Sequence, residues 1–138
     1  MAASTTSREA SRKDGIVIAY PVQAGAVINK GTFVFVDSTG YARPGRSGVA
    51  GDVFVGVAYE AVSNALGAAG ALLIRVFKTG SFVFPKSAAT ALTDLGQPFY
   101  AADDQTLTTT AAGNQLAGYV VGIVDAVNLR LSIGRGVQ

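Results

Sequence analysis

The strongest constraint on the fold is a repeated pattern of short apolar runs separated by turn-forming residues. From Gly15 onward, stretches rich in β-branched and aromatic residues are bounded by Gly, Pro, Asn and Asp. Runs of this length and composition are typical of β-strands. The sequence therefore predicts a mainly β fold with strands in Ile16–Tyr20, Ala26–Ile28, Phe33–Val36, Val53–Glu60, Leu72–Phe77, Phe82–Phe84, Phe99–Ala101, Tyr119–Val124 and Leu129–Ile133.

Several of these runs do not alternate with polar residues, so both faces of their strands must be covered. A compact barrel-like or sandwich-like body satisfies this requirement, and a β-tulip-like arrangement is one form it could take. Helix is expected to be scarce. The only candidates are Ser87–Leu95, which is followed by a helix-terminating Gly96, and Ala61–Ala69, which glycines weaken.

An internal repeat underlies the strand pattern. In both copies a glycine, an apolar strand and an acidic turn are followed by a Val-Gly segment and then by a strand containing one Arg. Two copies are too few for a solenoid, so we expect a duplicated β-hairpin unit, with an additional Ala/Gly-rich loop at Ala61–Ala71 in the first copy. The matched segments are Gly31–Asp37 with Gly96–Asp103, Val55–Asn64 with Val121–Asn128, and Leu72–Phe77 with Leu129–Ile133.

Residues Met1–Asp14 differ in amino-acid composition from the rest of the chain. They are rich in Ser, Thr and Ala, and beyond Met1 they contain no apolar residue larger than Ala. Burial of such small side chains cannot offset the conformational entropy that the segment would lose on becoming ordered. We therefore expect a flexible N-terminal arm at 1–14 and a single β-rich domain at 15–138. Its cations, Arg8, Arg12 and Lys13, could be solvated, could contact an acidic protein surface or could contact nucleic acid, but no aromatic residue offers a base-stacking platform.

The charge content indicates a component of an assembly. Charged residues make up 14% of the chain, against about 25% in typical globular proteins. Hydrophobic residues make up 49%, and the mean hydropathy is +0.37. A small domain with so few charges is expected to have part of its surface covered by other subunits. The net charge of +2 is too diffuse to indicate a nucleic-acid-binding protein.

The sequence contains no Cys and no His, which excludes thiol nucleophiles, disulfides, Cys/His zinc sites and the usual neutral-pH proton shuttle. Lys86 and Ser87 are adjacent in sequence and do not make a nucleophilic dyad. We expect no enzyme activity, no catalytic residue and no cofactor.

Two local motifs have both a chemical and a structural interpretation. Gly40–Ser47 has the spacing of a phosphate-binding loop, but Arg46 stands where Lys is required and Pro44 removes a backbone donor, which favours a surface loop. Asp103 and Asp104 could form a weak cation site, but adjacent carboxylates in this context favour a hairpin turn. We assign no metal site.

The order of the motifs resembles that of a family of small phage capsid-cement, or head decoration, proteins. The resemblance extends over roughly Ile16 to Ile133. The segments that carry it are Ala24–Gly31 leading into Phe33–Asp37, Val55–Ala61, Gly96–Tyr100 before a Thr-rich strand, and Ala117–Asp125 with Leu129–Ile133.

This resemblance implies a β-rich, usually trimeric body on the outer surface of a phage head, where it bridges neighbouring major capsid subunits. The expected partners are then the major capsid protein and further copies of the chain, with no membrane and no nucleic acid. The longest apolar run, Leu116–Val124, is too short to span a bilayer, so we expect synthesis in the host cytoplasm and location on the virion. The alternative from the same reasoning is a phage tail, fibre or receptor-binding module.

Overall fold

The computed structural model of the chain describes residue 6 and residues 15–138, and within these residues it contains twelve strands and no α-helix. The mainly β prediction is confirmed. The strands are β1 (Val17–Pro21), β2 (Val27–Ile28), β3 (Phe33–Val36), β4 (Ala42–Pro44), β5 (Val53–Ala58), β6 (Val62–Ser63), β7 (Leu73–Phe77), β8 (Ser81–Pro85), β9 (Pro98–Ala101), β10 (Leu107–Thr108), β11 (Gln115–Ile123) and β12 (Asn128–Ser132).

These strands form two five-stranded sheets and one small sheet, in which all strand pairs are antiparallel. The first sheet has the order β1-β7-β5-β3-β4. The second sheet, starting from the β8 edge, has the order β8-β12-β11-β9-β10. The small sheet consists of β2 and β6.

The two large sheets are structural repeats of each other. Strands β1, β3, β4, β5 and β7 of the first correspond in order and pairing to β8, β9, β10, β11 and β12 of the second. Isolated parallel bridges recur at matching places, Val22 with Ala42 and Lys86 with Leu107. The predicted duplication is therefore confirmed, and it comprises a whole five-stranded sheet.

The main core lies between the two large sheets. The first sheet contributes Phe33, Phe35 and Phe54, and the second contributes Phe84 and Phe99, all buried. The rings of Phe33 and Phe84 have centroids 4.2 Å apart, and Phe33 meets Phe54 edge-on at 5.5 Å. Aromatic contacts of these kinds join the two repeats into one core.

A second core covers the opposite face of the first sheet, because Val34 alternates with its two Phe neighbours along β3. Ile28 of the small sheet packs there. The adjoining Ala61–Ala71 loop is held by buried Asn64, whose Nδ2 donates to the carbonyls of Gln23 at 3.1 Å and Ala68 at 2.9 Å. The first sheet is thus buried on both faces over its central strands.

Both helix predictions are wrong. Ser87–Leu95 contains only a 3-10 turn at Leu92–Asp94, because the backbone N–H of Ser87 donates to Leu107 and ties that segment to the second sheet. Ala61–Ala69 contains β6 and turns, since Asn64 uses its side chain and backbone to bind carbonyls across the loop. Tertiary hydrogen bonds override the local preference of Ala-rich sequence for helix.

The structure also corrects the alignment of the repeat beyond its first strand. The pairing of β3 with β5 places Gly56 opposite Val34, and the pairing of β9 with β11 places Gly118 opposite Phe99. The counterpart of Val55-Gly-Val is therefore Ala117-Gly-Tyr and not the Val121-Gly-Ile segment that the sequence alignment matched. Strand β11 has a glycine at both places, Gly118 and Gly122, and only the strand register shows which of them corresponds to Gly56.

The predicted arm at Met1–Asp14 lies outside the described residues, except for residue 6. Within the part of the chain that the structure describes, no helix has the length and apolar character needed to cross a membrane.

Candidate functional site

The phosphate-loop-like segment, residues 40–47, contains the short strand β4, and only residues 45–47 belong to the surface loop between β4 and β5. Arg46 makes a two-pronged ion pair with buried Asp52, with Nε to Oδ2 at 2.6 Å and Nη2 to Oδ1 at 3.0 Å. A Cβ at Gly45 would lie 3.1 Å from both the carbonyl oxygen of Asp103 and the Cβ of Phe33, so this backbone is packed against protein. The guanidinium is used within its own loop. The strand expected after this segment is present as β5, but a surface loop over the whole segment is wrong, because residues 42–44 pair with β3 as β4.

Asp103 and Asp104 lie in the turn between β9 and β10, as the hairpin-turn interpretation predicted. The Oδ1 atom of Asp103 accepts hydrogen bonds from the backbone N–H groups of Gln105 at 2.8 Å and Thr106 at 2.7 Å. Partial burial and the neighbouring charge of Asp103 raise the pKa of Asp104. Among the described residues, no group of three or more acidic side chains converges as a metal site.

Lys86 and Ser87 are not brought together as a reactive pair. The Nζ atom of Lys86 binds the carboxylate of Asp94 at 2.9 Å and the carbonyl of Ala89 at 3.0 Å. Burial acts to raise the pKa of Asp94, but hydrogen bonds from the backbone N–H of Ala91 and from Lys86 outweigh it, so the net effect lowers this pKa. The charged Lys86–Asp94 pair fixes the segment before β9.

Most carboxylates of the described residues are used internally. The ion pairs leave Arg130 and Arg135 without a carboxylate partner in this part of the chain. Arg130 donates from Nε to Ser81 Oγ at 2.8 Å, and the guanidinium of Arg135 lies 4.3 Å from the ring centre of Tyr119. The four ion pairs are Asp37–Arg43, Asp52–Arg46, Glu60–Arg75 and Asp94–Lys86.

Of the thirteen large apolar side chains that are exposed in the described residues, seven lie in three regions. One is the face of the second sheet that points away from the main core, where Val83 and Val121 are each 54% exposed. The second is the Ala61–Ala71 loop, where Leu66 is fully exposed. The third adjoins the 3-10 turn, and its exposed residues are Leu92, Leu95, Val124 and Val127.

Sequence reasoning missed the outward-facing residues of the second sheet. Arg130 stands between buried Leu129 and Leu131, and this alternation is the signal that could have placed it on a surface. Tyr119 lies in an apolar run without alternation, so its position gave no such signal. The cations that the sequence analysis did single out, Arg8, Arg12 and Lys13, lie outside the described residues.

Residues 11–128 match the family model described as Phage cement protein. The chain belongs to this family. No curated protein and no solved structure was found to match it. The match begins within the last residues of the expected arm and extends through both repeats as far as the start of β12.

Family membership gives the chain a structural role as cement in a phage capsid. This role agrees with the site chemistry described above. The polar motifs of the cement protein are engaged in its own loops and turns, while its apolar residues and two arginines remain available on the surface. A protein of this kind acts through the surfaces that it presents to its neighbours.

Proposed function

We propose that this protein decorates the outer surface of an expanded phage head, where it binds the major capsid protein and stabilises the shell. Membership of the cement family is the observation that carries the proposal. The exposed apolar residues support it, because covering them with a partner surface is favourable. The arginines without a carboxylate partner in the described residues support it because they can form charge-assisted hydrogen bonds with carboxylates of a partner.

The mechanism is thermodynamic. A protein that binds the assembled, expanded shell and not its free subunits stabilises the shell by mass action, by about 2.7 kcal/mol per site when its free concentration is 100 times Kd. Contacts that bridge neighbouring capsid subunits add up over many copies, so a modest affinity at each site resists rupture of the whole shell. No covalent step is needed, and we propose no catalytic role.

We further propose that the protein acts as a homotrimer. The low charge content and the exposed apolar patches around Leu66 and Leu92 support self-association, since a monomer would leave them in water. Light scattering at micromolar concentration is expected to give about three times the chain mass of 14.0 kDa. A mass of one chain, both in solution and when released from particles, would contradict the trimer.

The first 14 residues are proposed as an additional contact. Arg8, Arg12 and Lys13 carry three positive charges within six positions, which suits an acidic surface on a capsid subunit. Such a contact would extend the bound area across the boundary between neighbouring capsid subunits.

Binding to heads tests the proposal directly. Heads purified from a phage whose gene for this protein is deleted are mixed with increasing amounts of the purified protein and sedimented. We expect saturable binding at a fixed number of copies per head, because the sites are positions on a lattice. The protein should not bind dissociated capsid subunits. Absence of binding to heads, together with binding to tails or to host cells, would instead support a tail or receptor-binding module.

A further inference from the structure

The internal repeat allows each face of the second sheet to be compared with its counterpart in the first. In the first sheet, the face that carries the buried Phe residues of β3 and β5 is covered by the second sheet. The strand registers identify the corresponding positions. Phe33, Phe35, Phe54 and Val57 of the first sheet correspond to Pro98, Tyr100, Leu116 and Tyr119 of the second.

These corresponding residues of the second sheet face away from the main core. Their neighbours Phe99, Ala117 and Val120 point into it and are buried, whereas Pro98, Tyr100, Leu116 and Tyr119 are only partly buried. We call the outward surface formed by Val83, Tyr100, Leu116, Tyr119, Val121 and Arg130 the outer face. The face that packs against another sheet in the first repeat is thus not covered by a sheet of the described residues in the second repeat.

The outer face combines apolar surface with positive charge. Arg130 is paired across the sheet with Val83, and Arg135 lies over the ring of Tyr119. Cross-strand neighbours lie on the same side of an antiparallel sheet, so these groups form one continuous surface. No outward-facing position of β8, β9, β11 or β12 carries a carboxylate.

A second copy of the chain cannot cover the outer face in the way that the second sheet covers the first. The surface of the second sheet that packs on the first corresponds to the face of the first sheet that bears Val34 and Ile74. In the first repeat that face is already covered by the small sheet and its buried Ile28. Among the described residues, another copy therefore offers no free face equivalent to the one by which the second sheet packs on the first.

Charge also favours a different protein as the partner. Four carboxylates of the described residues are held in ion pairs, and Asp103 and Asp125 accept hydrogen bonds within their own turns. A second copy would bring few free carboxylates to Arg130 and Arg135. A protein surface with its own acidic residues would pair with both arginines by charge-assisted hydrogen bonds.

We propose that the outer face is the surface by which this protein docks on the head, against a capsid subunit that presents acidic and apolar side chains. This inference rests on the proposed function and adds to it the docking surface and the chemistry of the partner surface. The arginines would set orientation, while Val83, Val121 and the tyrosine rings would be covered by the capsid subunit.

Charge-reversed and polar variants on the outer face test the proposal by sedimentation with undecorated heads. The variants are the double change Arg130→Glu with Arg135→Glu and the single change Val121→Asp. The matched controls are Val27→Asp, at a half-exposed valine of β2, and Lys30→Glu, at an exposed cation two residues after β2. Strand β2 belongs to the small sheet, which covers the face of the first sheet opposite the main core. We expect at least a tenfold loss of affinity for the outer-face variants and less than a twofold change for the controls.

Circular dichroism and light scattering, together with the binding of the wild-type protein, separate the possible failures. Circular dichroism establishes that each variant is folded, and the milder Arg130→Gln replaces any that is not, with a smaller loss of affinity expected. If the wild-type protein binds heads and all outer-face variants bind equally well, the inference is overturned while the proposed function stands. If the wild-type protein does not bind heads, the proposed function fails and this inference with it. If light scattering shows that the outer-face variants lose oligomeric mass, the occupant is a second copy and the proposal is wrong.

Discussion

Gly56 and Gly118 occupy the same position in the two repeated sheets. Each lies beside a β-bulge, Gly56 in β5 and Gly118 in β11, and each has a positive φ, of 149° and 158° respectively. A Cβ at Gly56 would overlap the carbonyl oxygen of Phe77, and one at Gly118 would overlap that of Ser132. The duplication therefore preserves a backbone requirement as well as a strand order.

Alanine at either glycine is expected to destabilise the fold. Gly56→Ala and Gly118→Ala should each lower the free energy of unfolding by about 1–3 kcal/mol, because the side chain is both conformationally strained and in contact with a strand carbonyl. Gly122→Ala, in the same strand as Gly118, is the control. A Cβ there would meet Arg130 at an ordinary distance of 3.5 Å. Chemical denaturation at one protein concentration measures all three, and equal effects at Gly118 and Gly122 would contradict the explanation.

Much of this architecture could be predicted from sequence, because strands with large apolar residues produce a visible pattern. The predicted strand Phe33–Val36 has the same bounds as β3, and the predicted match between the Gly31 and Gly96 segments corresponds to the repeat of β3 as β9. The short strands β4 and β6 were not predicted, since three residues with Pro44 and two residues of β6 carry no periodic signal. Strand β10 lies within the Thr-rich strand that was expected after Tyr100.

The outer face could not be predicted for a different reason. Tyr119 and Leu116 look like core residues in a sequence, and their counterparts in the first repeat, Val57 and Phe54, are indeed core residues. Only the packing of one sheet on the other decides which of two similar faces is covered. That choice depends on the small sheet, whose two short strands lie far apart in sequence.

Asn64 is expected to be needed for the Ala61–Ala71 loop to keep its position. Asn64→Ala should lower the free energy of unfolding by about 1–3 kcal/mol, because it removes the donor to several carbonyl groups around a buried site. Asn29→Ala, at an exposed asparagine, should change it by less than about 0.5 kcal/mol. Thermal and chemical unfolding of both variants check this, and an Asn64 effect as small as that at Asn29 would show that the loop is held by other contacts.

Asp37 is expected to make the free energy of unfolding decrease as the pH falls through the acidic range. Burial acts to raise its pKa, but hydrogen bonds from Thr39, Gln23 and Tyr41 outweigh this effect and lower the pKa from 3.8 to about 2. The contribution of ionised Asp37 to the free energy of unfolding is therefore complete above pH 3.8. It is lost as the pH falls towards 2, where the carboxylate of the folded protein takes up a proton.

Unfolding measured between pH 5 and pH 2 checks this dependence. The Asp37→Asn variant should be less stable than wild type at neutral pH, and the difference between the two proteins should shrink as the pH falls from about 4 to about 2. Other carboxylates titrate in both proteins, so the difference isolates Asp37. Two curves that remain parallel over this range would show that the ionised Asp37 contributes nothing.

The N-terminal cations are expected to strengthen binding to heads. Changing Arg8, Arg12 and Lys13 together to Glu should lower affinity about tenfold or more, whereas Arg8→Lys with Arg12→Lys should leave it nearly unchanged, because that control keeps the charge. The wild-type advantage should diminish as salt is raised. Affinity that is identical for all three proteins at low salt would show that the segment does not contact the capsid.

The most direct test of the cement role is the rupture of heads with and without the protein. Heads from the gene-deleted phage should assemble and package DNA, yet release that DNA at a lower temperature than wild-type heads and after a milder osmotic shock. Adding back purified protein should restore the release temperature and reach its full effect at the same copy number at which binding saturates. Undecorated heads that resist heat and osmotic shock as well as decorated ones would contradict the account.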